Sequence, residues 1–284
     1  MYFKDGKWAK EIINSQHSDG SWGYFHSLAT PISSKKITTE QALRRLENLG
    51  YTINDEPIKK AIIYLDDCLL GKNIIPDTVE KDIDWKIFTE LMIATWIRKF
   101  TLENKRANNI SCKWASIVEN SIIDSKFDPL IYDSLHYNTL SVKKYKRTRT
   151  NLFMNFYQIS LVTNALDKVI EPIFFKHLLN CDTSIIYFNY IGPLKKLPET
   201  FLSKNISTYI RQMELLSRFE NIECKQQLQF FKIWLEKNKI NEFEWDMGVN
   251  SKDNILFPLS DSWKKEEDRI KDCTYIINKL IKNL

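Results

Sequence analysis

The sequence predicts an all-α protein, and three observations lead to that prediction. Glycine and proline are scarce, at 7 and 8 of 284 residues, which disfavours the many tight turns of a β architecture. Apolar residues recur at helical spacing in one segment after another. Several segments begin at a capping residue or a proline and end at a glycine, as helices do. Because 43% of the residues are apolar, the chain can bury a sizeable core, and we predict a single domain covering residues 1–284.

The first clear periodic segments predict a helical hairpin. Thr38 or Thr39 caps its first helix, which Gly50 ends, and Asn54 or Asp55 caps its second. The core-facing positions of the two helices are Ala42, Leu43, Leu46, Leu49, Ile58, Ile62, Leu65 and Leu69. Such hairpins are the repeating units of an α/α toroid.

The next predicted helix, from about Asp82 to Phe100, has little polar surface. Its apolar residues include Ile83, Trp85, Ile87, Phe88, Leu91, Met92, Ile93, Ala94, Trp96 and Ile97. A helix that is apolar nearly all round is buried nearly all round, so we expect an inner helix enclosed by outer ones. A partner helix follows from about Lys105 to Ile123.

Weaker patterns cover the rest of the chain. Helices are predicted for Asn151–Leu166, from Glu171 onward, for Ile206–Phe219 and for Ile222–Leu235. A last helix is predicted to begin at Asp261, as its cap, and to end at Leu284. The apolar run Ile185–Ile191 is open between helix and strand. Together these segments give about ten to twelve helices paired in hairpins.

Two tryptophans each follow a predicted helix and precede a glycine. Asp19-Gly20 is a turn signal, and the ring of Trp22 needs a mostly buried seat with a partner for its N–H. Gln16 can satisfy main-chain groups that are freed where the preceding helix, Trp8–Ser15, ends. The run from Asn241 to Gly248 places Trp245 similarly but lacks the Gln and the Asp-Gly pair, so we interpret it as a degenerate second corner.

The pattern Gln16-x-x-Asp19-Gly20-x-Trp22 resembles the QW motif of the terpenoid cyclase and protein prenyltransferase superfamily, as in squalene-hopene cyclase-like proteins. The resemblance is strongest over residues 8–70. It implies an α/α toroid, in which helical hairpins form a ring around a central cavity. In that family the motif ties helices together and is not catalytic.

Asp82-Ile83-Asp84-Trp85 resembles the Asp-x-Asp-Asp motif of the class II cyclases, except that Trp stands at the fourth position. The resemblance implies Asp84 as the proton donor to an alkene, with Asp82 as its partner. Such an acid needs a dry pocket that keeps its carboxyl protonated. The alternative is that both residues complement the dipole at a helix N-terminus.

Aromatic side chains are the candidate substrate-binding residues. Carbocation chemistry uses ring faces to stabilise cationic intermediates, and we select Trp85, Trp96, Trp263 and Tyr275 as residues that would line a cavity inside a toroid. The alternative is that these rings fill the core.

Two further strings resemble metal-binding motifs of the superfamily incompletely. Asp66-Asp67 lacks the third Asp of a magnesium motif, and Asp272-Cys273 lacks both the spacing and the downstream His of a zinc site. We therefore expect no metal and no cofactor.

Charge and cysteine content bear on partners and location. The net charge is +5, and the basic run Lys143–Arg149 has only Tyr145 among it as a stacking aromatic, so a solvated loop is favoured over a nucleic-acid site. The five scattered cysteines and the lack of a signal-like or spanning apolar run favour a cytoplasmic protein. Peripheral membrane contact and oligomeric state are left open.

Two functions follow as hypotheses. The first is a terpenoid-cyclase-like protein that acts on an isoprenoid or similar apolar substrate in a central cavity, with protonation by Asp84. The second is a non-catalytic α/α toroid that binds a lipid or a protein partner. The sequence leaves open whether the protein is an enzyme.

Overall fold

The computed structural model describes residues 3–26, 37–141, 155–181, 192–253 and 255–284, and this part of the chain is mostly helical. Its α-helices are α1 (Lys7–Asn14), α2 (Thr39–Asn48), α3 (Glu56–Leu69), α4 (Trp85–Phe100), α5 (Lys105–Glu119), α6 (Pro129–Thr139), α7 (Phe156–Val162), α8 (Glu171–Asn180), α9 (Ile206–Leu216), α10 (Ile222–Gln227), α11 (Gln229–Lys237) and α12 (Glu266–Ile281). Two short strands, β1 (Ile122–Ile123) and β2 (Lys126–Phe127), pair antiparallel. The all-α prediction is confirmed.

Capping residues define where the helices begin. Thr38 caps α2 through a reciprocal capping box with Gln41, and Asn104 caps α5 by accepting from the main chain of Ala107. Asp55 precedes α3, but its carboxylate binds Lys4 and Thr52 instead of the helix main chain.

Several predicted boundaries were wrong. The helix placed at Asp82–Phe100 begins at Trp85, and the one placed at Lys105–Ile123 ends at Glu119, after which β1 begins. Asp261 does not cap the last helix, because α12 begins at Glu266; the Asp261 carboxylate accepts the main-chain N–H of Lys7 at 2.9 Å.

The segment predicted as Asn151–Leu166 is helical from Phe156 to Val162, and Asn164, at φ 58°, lies just beyond it. The start of that segment at 151–154, the basic run Lys143–Arg149 and the apolar run Ile185–Ile191 lie outside the described residues.

Helix α4 is at the centre of the packing, as its apolar pattern predicts. It packs against α3, α5 and α7, and every residue from Leu91 to Ile97 is buried. Such continuous burial follows from apolar residues on all sides of one helix. Within the described ranges, none of the helices has both the length and the apolarity needed to cross a bilayer.

The N-terminal helices lie against the C-terminal part of the chain. The indole N–H of Trp8 donates to the carbonyl oxygen of Ser260 at 2.9 Å, and the rings of Phe3 and Tyr275 meet edge to face with their centres 5.0 Å apart. Helix α1 and the residues just before it therefore contact the segment before α12 and α12 itself.

The first corner ties α1 to α2 and α3. The ring of Trp22 is 3% exposed, and its N–H donates to the carbonyl oxygen of Ile12 at 2.7 Å. The side-chain amide of Gln16 donates to the carbonyl oxygens of Gly20 and Pro57, both at 2.9 Å. The bonds to Ile12 and Pro57 reach the last turn of α1 and the first turn of α3, and the bond to Gly20 closes the turn between them.

The second corner has the same geometry although it lacks the Gln and the Asp-Gly pair. The indole N–H of Trp245 donates to the carbonyl oxygen of Leu235 at 2.7 Å. The main-chain N–H of Trp245 donates to the hydroxyl of Thr274 at 3.0 Å, as that of Trp22 does to Thr39 at 3.0 Å. The Gln and the Asp-Gly pair are therefore not required for these two hydrogen bonds.

Candidate functional site

The two predicted catalytic aspartates lie at the start of α4. The carboxylate of Asp84 accepts the main-chain N–H of Ile87 at 3.1 Å as the N-cap, and Asp82 is exposed. This placement matches the alternative interpretation, in which both residues complement a helix N-terminus. The role of Asp84 as a proton donor stays a prediction.

The four predicted substrate-binding aromatics lie in different surroundings. Trp85 contacts Phe88, whereas Trp96 is fully buried. Trp263 donates its indole N–H to Asp272 at 2.7 Å, and Tyr275 packs on Phe3 at the chain terminus. Among the described residues no ring contact joins any two of the four, and none of them lines the three cavities that follow, so each fits the role of a core or supporting residue.

The incomplete metal strings have structural roles. Asp66 pairs with Arg106 and accepts from Asn104 at 2.7 Å. Asp272 is buried and accepts from the main chain of Leu259 and Ser260 and from the Trp263 indole. Among the described residues no two cysteines form a disulfide, and no group of three His, Cys, Asp or Glu in the described ranges is placed to hold a metal.

Charged residues meet where the last turns of α2, α4, α9 and α12 come together. We call Glu47, Lys99, Glu214, Arg218 and Lys279 the ion cluster. The Lys99 ammonium lies 2.6 Å from the Glu47 carboxylate, and Arg218 pairs with both Glu47 and Glu214. Lys279 donates to the main-chain carbonyl of Glu47 at 3.2 Å.

The carboxylates of the ion cluster are held in their charged form. Burial alone would raise the pKa of Glu47, but Arg218 and Lys99 outweigh that effect and hold it well below its usual value. The same balance, with Arg218 as the main opposing charge, lowers the pKa of Glu214. The side chains are only 12% exposed at Glu47 and 4% at Lys99, so water screens this pair weakly.

A small cavity of about 30 Å³ lies beside the ion cluster. Its lining includes Arg44, Glu47, Lys99, Glu214 and Lys279. This volume is the scale of one or two water molecules and is far below the ~300 Å³ at which pockets for small organic ligands begin. The cavity cannot hold an isoprenoid chain.

A larger cleft of about 320 Å³ has Lys99 and Arg218 of the ion cluster in its lining. We call it the C-terminal cleft, because the residues at the ends of four helices line it: Phe100 and Thr101 at the end of α4, Thr163 and Asn164 after α7, Ser217 and Arg218 after α9, and Asn283 after α12. Four cations, Arg98, Lys99, Arg218 and Lys225, and one carboxylate, Glu220, also lie on its wall.

Two of these cations cap helix C-termini. The guanidinium of Arg98 donates to the main-chain carbonyls of Leu161 and Thr163, both at 3.2 Å, at the end of α7. The ammonium of Lys225 donates to the carbonyl of Ser217 at 2.6 Å and to that of Asn283. Cations at these positions offset the negative end of the helix dipole.

A third cavity, of about 190 Å³, lies between α4, α5 and the end of α6. Ile87, Ile110, Trp114 and Ile117 form its apolar wall. It is smaller than the C-terminal cleft and has fewer polar groups to orient a ligand.

Reasoning from sequence did not identify the residues of the ion cluster or the C-terminal cleft. Arg98 and Lys99 lie in the last turn of α4. Basic residues are common at that position in helices, so finding them there in the sequence does not indicate a functional site. Only the approach of helices distant in sequence brings Glu47 to Lys99 and Arg218.

The resemblance to the terpenoid cyclase and protein prenyltransferase superfamily depends on the motifs in this sequence alone. No family model, no curated protein and no solved structure matches this chain.

Proposed function

We propose that this protein is a non-catalytic α-helical binding protein, with the C-terminal cleft as the place where it takes a small polar ligand. The carboxylate of Asp84, engaged as the cap of α4, carries this proposal. An acid that protonates an alkene must sit in a dry pocket, whereas Asp84 is half-buried and lines none of the three cavities described above. The C-terminal cleft is within the size range of small-molecule sites.

The arrangement we propose for the helices is a single-domain α/α toroid. The last turns of α2, α4, α9 and α12 meet at the ion cluster, and the end of α7 contacts Arg98. Contacts between the first and last helices, such as that of Trp8 with Ser260, support closure of the ring. The ion cluster would then block one end of the central space.

A turnover assay tests the absence of catalysis. Purified protein is incubated with prenyl diphosphates and with squalene, and products are compared for the wild type, Asp84→Asn and Asp84→Ala. Asparagine caps a helix about as well as aspartate but cannot supply the proton, so Asp84→Asn separates the two roles. We expect no product that depends on Asp84.

A thermal-shift screen with small metabolites tests binding in the cleft. Leu102 lines the cleft and is 55% exposed, so Leu102→Trp places a large ring there. Leu130, 78% exposed on α6, gives the matched control Leu130→Trp. Because ligand binding stabilises the folded state, we expect a ligand to raise the melting temperature of the wild type and of the control. The same ligand should not raise the melting temperature of Leu102→Trp. Equal shifts in all three would contradict the proposal.

A second candidate is a terpenoid-cyclase-like enzyme that acts on an isoprenoid or similar apolar substrate. The corner formed by Gln16 and Trp22 favours it, since the residues of the motif make the helix ties that the resemblance implies. The turnover assay separates the two candidates: a cyclised product that Asp84→Asn abolishes, in a protein that melts like the wild type, would establish the enzyme.

A further inference from the structure

We infer that the C-terminal cleft binds the phosphate group of a small molecule. This inference rests on the proposed function for the choice of cleft and adds the chemical class of its ligand. The hydrogen-bonding capacity of the cleft wall supports it.

Donors are in excess on the wall of the cleft. The carbonyls at the helix ends are already occupied, by Arg98 at Leu161 and Thr163 and by Lys225 at Ser217. A guanidinium has five N–H donors and an ammonium has three, whereas the bonds that Arg98 and Lys225 make within the described residues use three and two of them. The donors that remain suit a ligand group that only accepts.

The charges on the cleft wall nearly cancel. Lys99 and Arg218 face Glu47 and Glu214, so these four cancel. Arg98 and Lys225 make their bonds to neutral groups in the described ranges. Each helix C-terminus carries about −0.5 elementary charge, so the three ends that these cations cap, those of α7, α9 and α12, offset about 1.5 of their 2 charges.

One carboxylate works against the anion. Glu220 lies on the cleft wall and is exposed, and its side chain makes no hydrogen bond within the described part of the chain. The charge of Glu220 outweighs the roughly 0.5 charge that remains on Arg98 and Lys225, so the wall has no positive surplus. Recognition therefore depends on short-range donation by these two residues, and we expect a dissociation constant on the order of 1 mM.

Calorimetric titration tests the inference on the full chain. Inorganic phosphate and methyl phosphate are titrated at low ionic strength, with acetate as the carboxylate probe and chloride to match ionic strength. Four proteins are compared: the wild type, Lys225→Gln, Glu220→Gln and, as the control, Lys237→Gln, whose lysine is exposed on α11 away from the cleft lining.

The charges predict opposite effects at two neighbouring positions. Lys225→Gln is expected to weaken phosphate binding about tenfold, as loss of a charge-assisted hydrogen bond does, and Glu220→Gln is expected to tighten it about twofold to threefold. The control should bind like the wild type, and acetate should bind more weakly than phosphate.

Specific outcomes would overturn the inference: no saturable heat with either phosphate probe, equal weakening in Lys225→Gln and Lys237→Gln, or weaker binding in Glu220→Gln than in the wild type. If Lys225→Gln fails to fold because the carbonyls of Ser217 and Asn283 lose their donor, Glu220→Gln decides alone. A failure to bind phosphate leaves the Leu102→Trp screen unaffected, so failure of the ligand class is distinguishable from failure of the proposed function.

Discussion

The indole N–H groups of Trp22 and Trp245 make the same hydrogen bond at opposite ends of the chain. Each donates at 2.7 Å to the main-chain carbonyl ten residues earlier, Ile12 for the first and Leu235 for the second. In both corners the tryptophan main chain also donates to a threonine hydroxyl at 3.0 Å. The two corners are therefore alike in geometry although only the first carries the full Gln-Asp-Gly-Trp pattern.

Replacing either tryptophan by phenylalanine should destabilise the protein by about 1–3 kcal/mol, because the smaller ring leaves part of a buried site unfilled and a main-chain carbonyl loses one of its donors. Trp22→Phe and Trp245→Phe are measured by urea unfolding. Trp85→Phe is the control, since Trp85 is only partly buried and makes no hydrogen bond through its indole N–H among the described residues. Losses no larger than that of the control would show that the indole bonds do not hold the corners.

Gly20 should tolerate alanine far less than Gly71 does. Both have positive φ, 94° and 72°, which costs a non-glycine residue about 1–2 kcal/mol. A Cβ at Gly20 would also lie 2.4 Å from the carbonyl oxygen of Lys60, whereas one at Gly71 would meet nothing within 4 Å. We expect Gly71→Ala to show the backbone cost alone and Gly20→Ala to melt at a clearly lower temperature. Similar melting temperatures for the two variants would contradict this.

Removing the central carboxylate of the ion cluster should be costly. Glu47→Gln leaves Lys99 largely buried without its carboxylate, and the expected loss is about 3 kcal/mol. Glu56→Gln is the matched control, because the pair of Glu56 with Lys60 is exposed and such pairs contribute less than about 1 kcal/mol. Chemical denaturation measures both variants, and a loss at Glu47 as small as that at Glu56 would refute the prediction.

The ion cluster should also make stability fall in acid. The pKa of Glu47 and that of Glu214 are lowered from 4.5 in the folded protein, so near that pH the unfolded chain binds more protons than the folded one. Their contribution is present above about pH 4.5 and is lost as pH falls through the folded pKa values. Burial raises the pKa of Asp77, which has the opposite effect.

The gap in unfolding free energy between the wild type and Glu47→Gln isolates the cluster from groups such as Asp77. We expect the gap to narrow as pH falls from 5 toward 3, measured by denaturation at each pH. A gap that stays constant over this range would show that the charge of Glu47 does not stabilise the fold.

Two substitutions of Asp84 distinguish its capping hydrogen bond from its charge. Asp84→Ala removes the bond to the main chain of Ile87 and should cost about 1 kcal/mol, whereas Asp84→Asn should cost only a few tenths. Thermal melts measure both. Equal losses would mean that the charge, and not the capping bond, is what α4 needs at this position.

Local features of the fold could be predicted from the sequence by itself. The buried faces of α2 and α3, the buried run Leu91–Ile97 in α4, the cap at Thr38 and the burial of Trp22 were all indicated by residues close together in the sequence. Side-chain type and helical period within a few turns are enough to predict that a residue is buried, although the partners that bury it lie elsewhere in the chain. Even the degenerate corner at Trp245 was recognisable, because its helix and its tryptophan are neighbours in sequence.

Only the tertiary structure decided what the charged residues do. Asp82 and Asp84 resemble an acid motif, yet they lie at a helix start. Glu47, Lys99 and Arg218 belong to no motif, yet they meet where the ends of α2, α4 and α9 converge. The helical period of a sequence predicts which face of its own helix a residue lies on. It does not predict which other helix packs against that face. The partners of Glu47 come from α4 and α9, so the ion cluster and the cleft beside it exist only once the helix ends have converged.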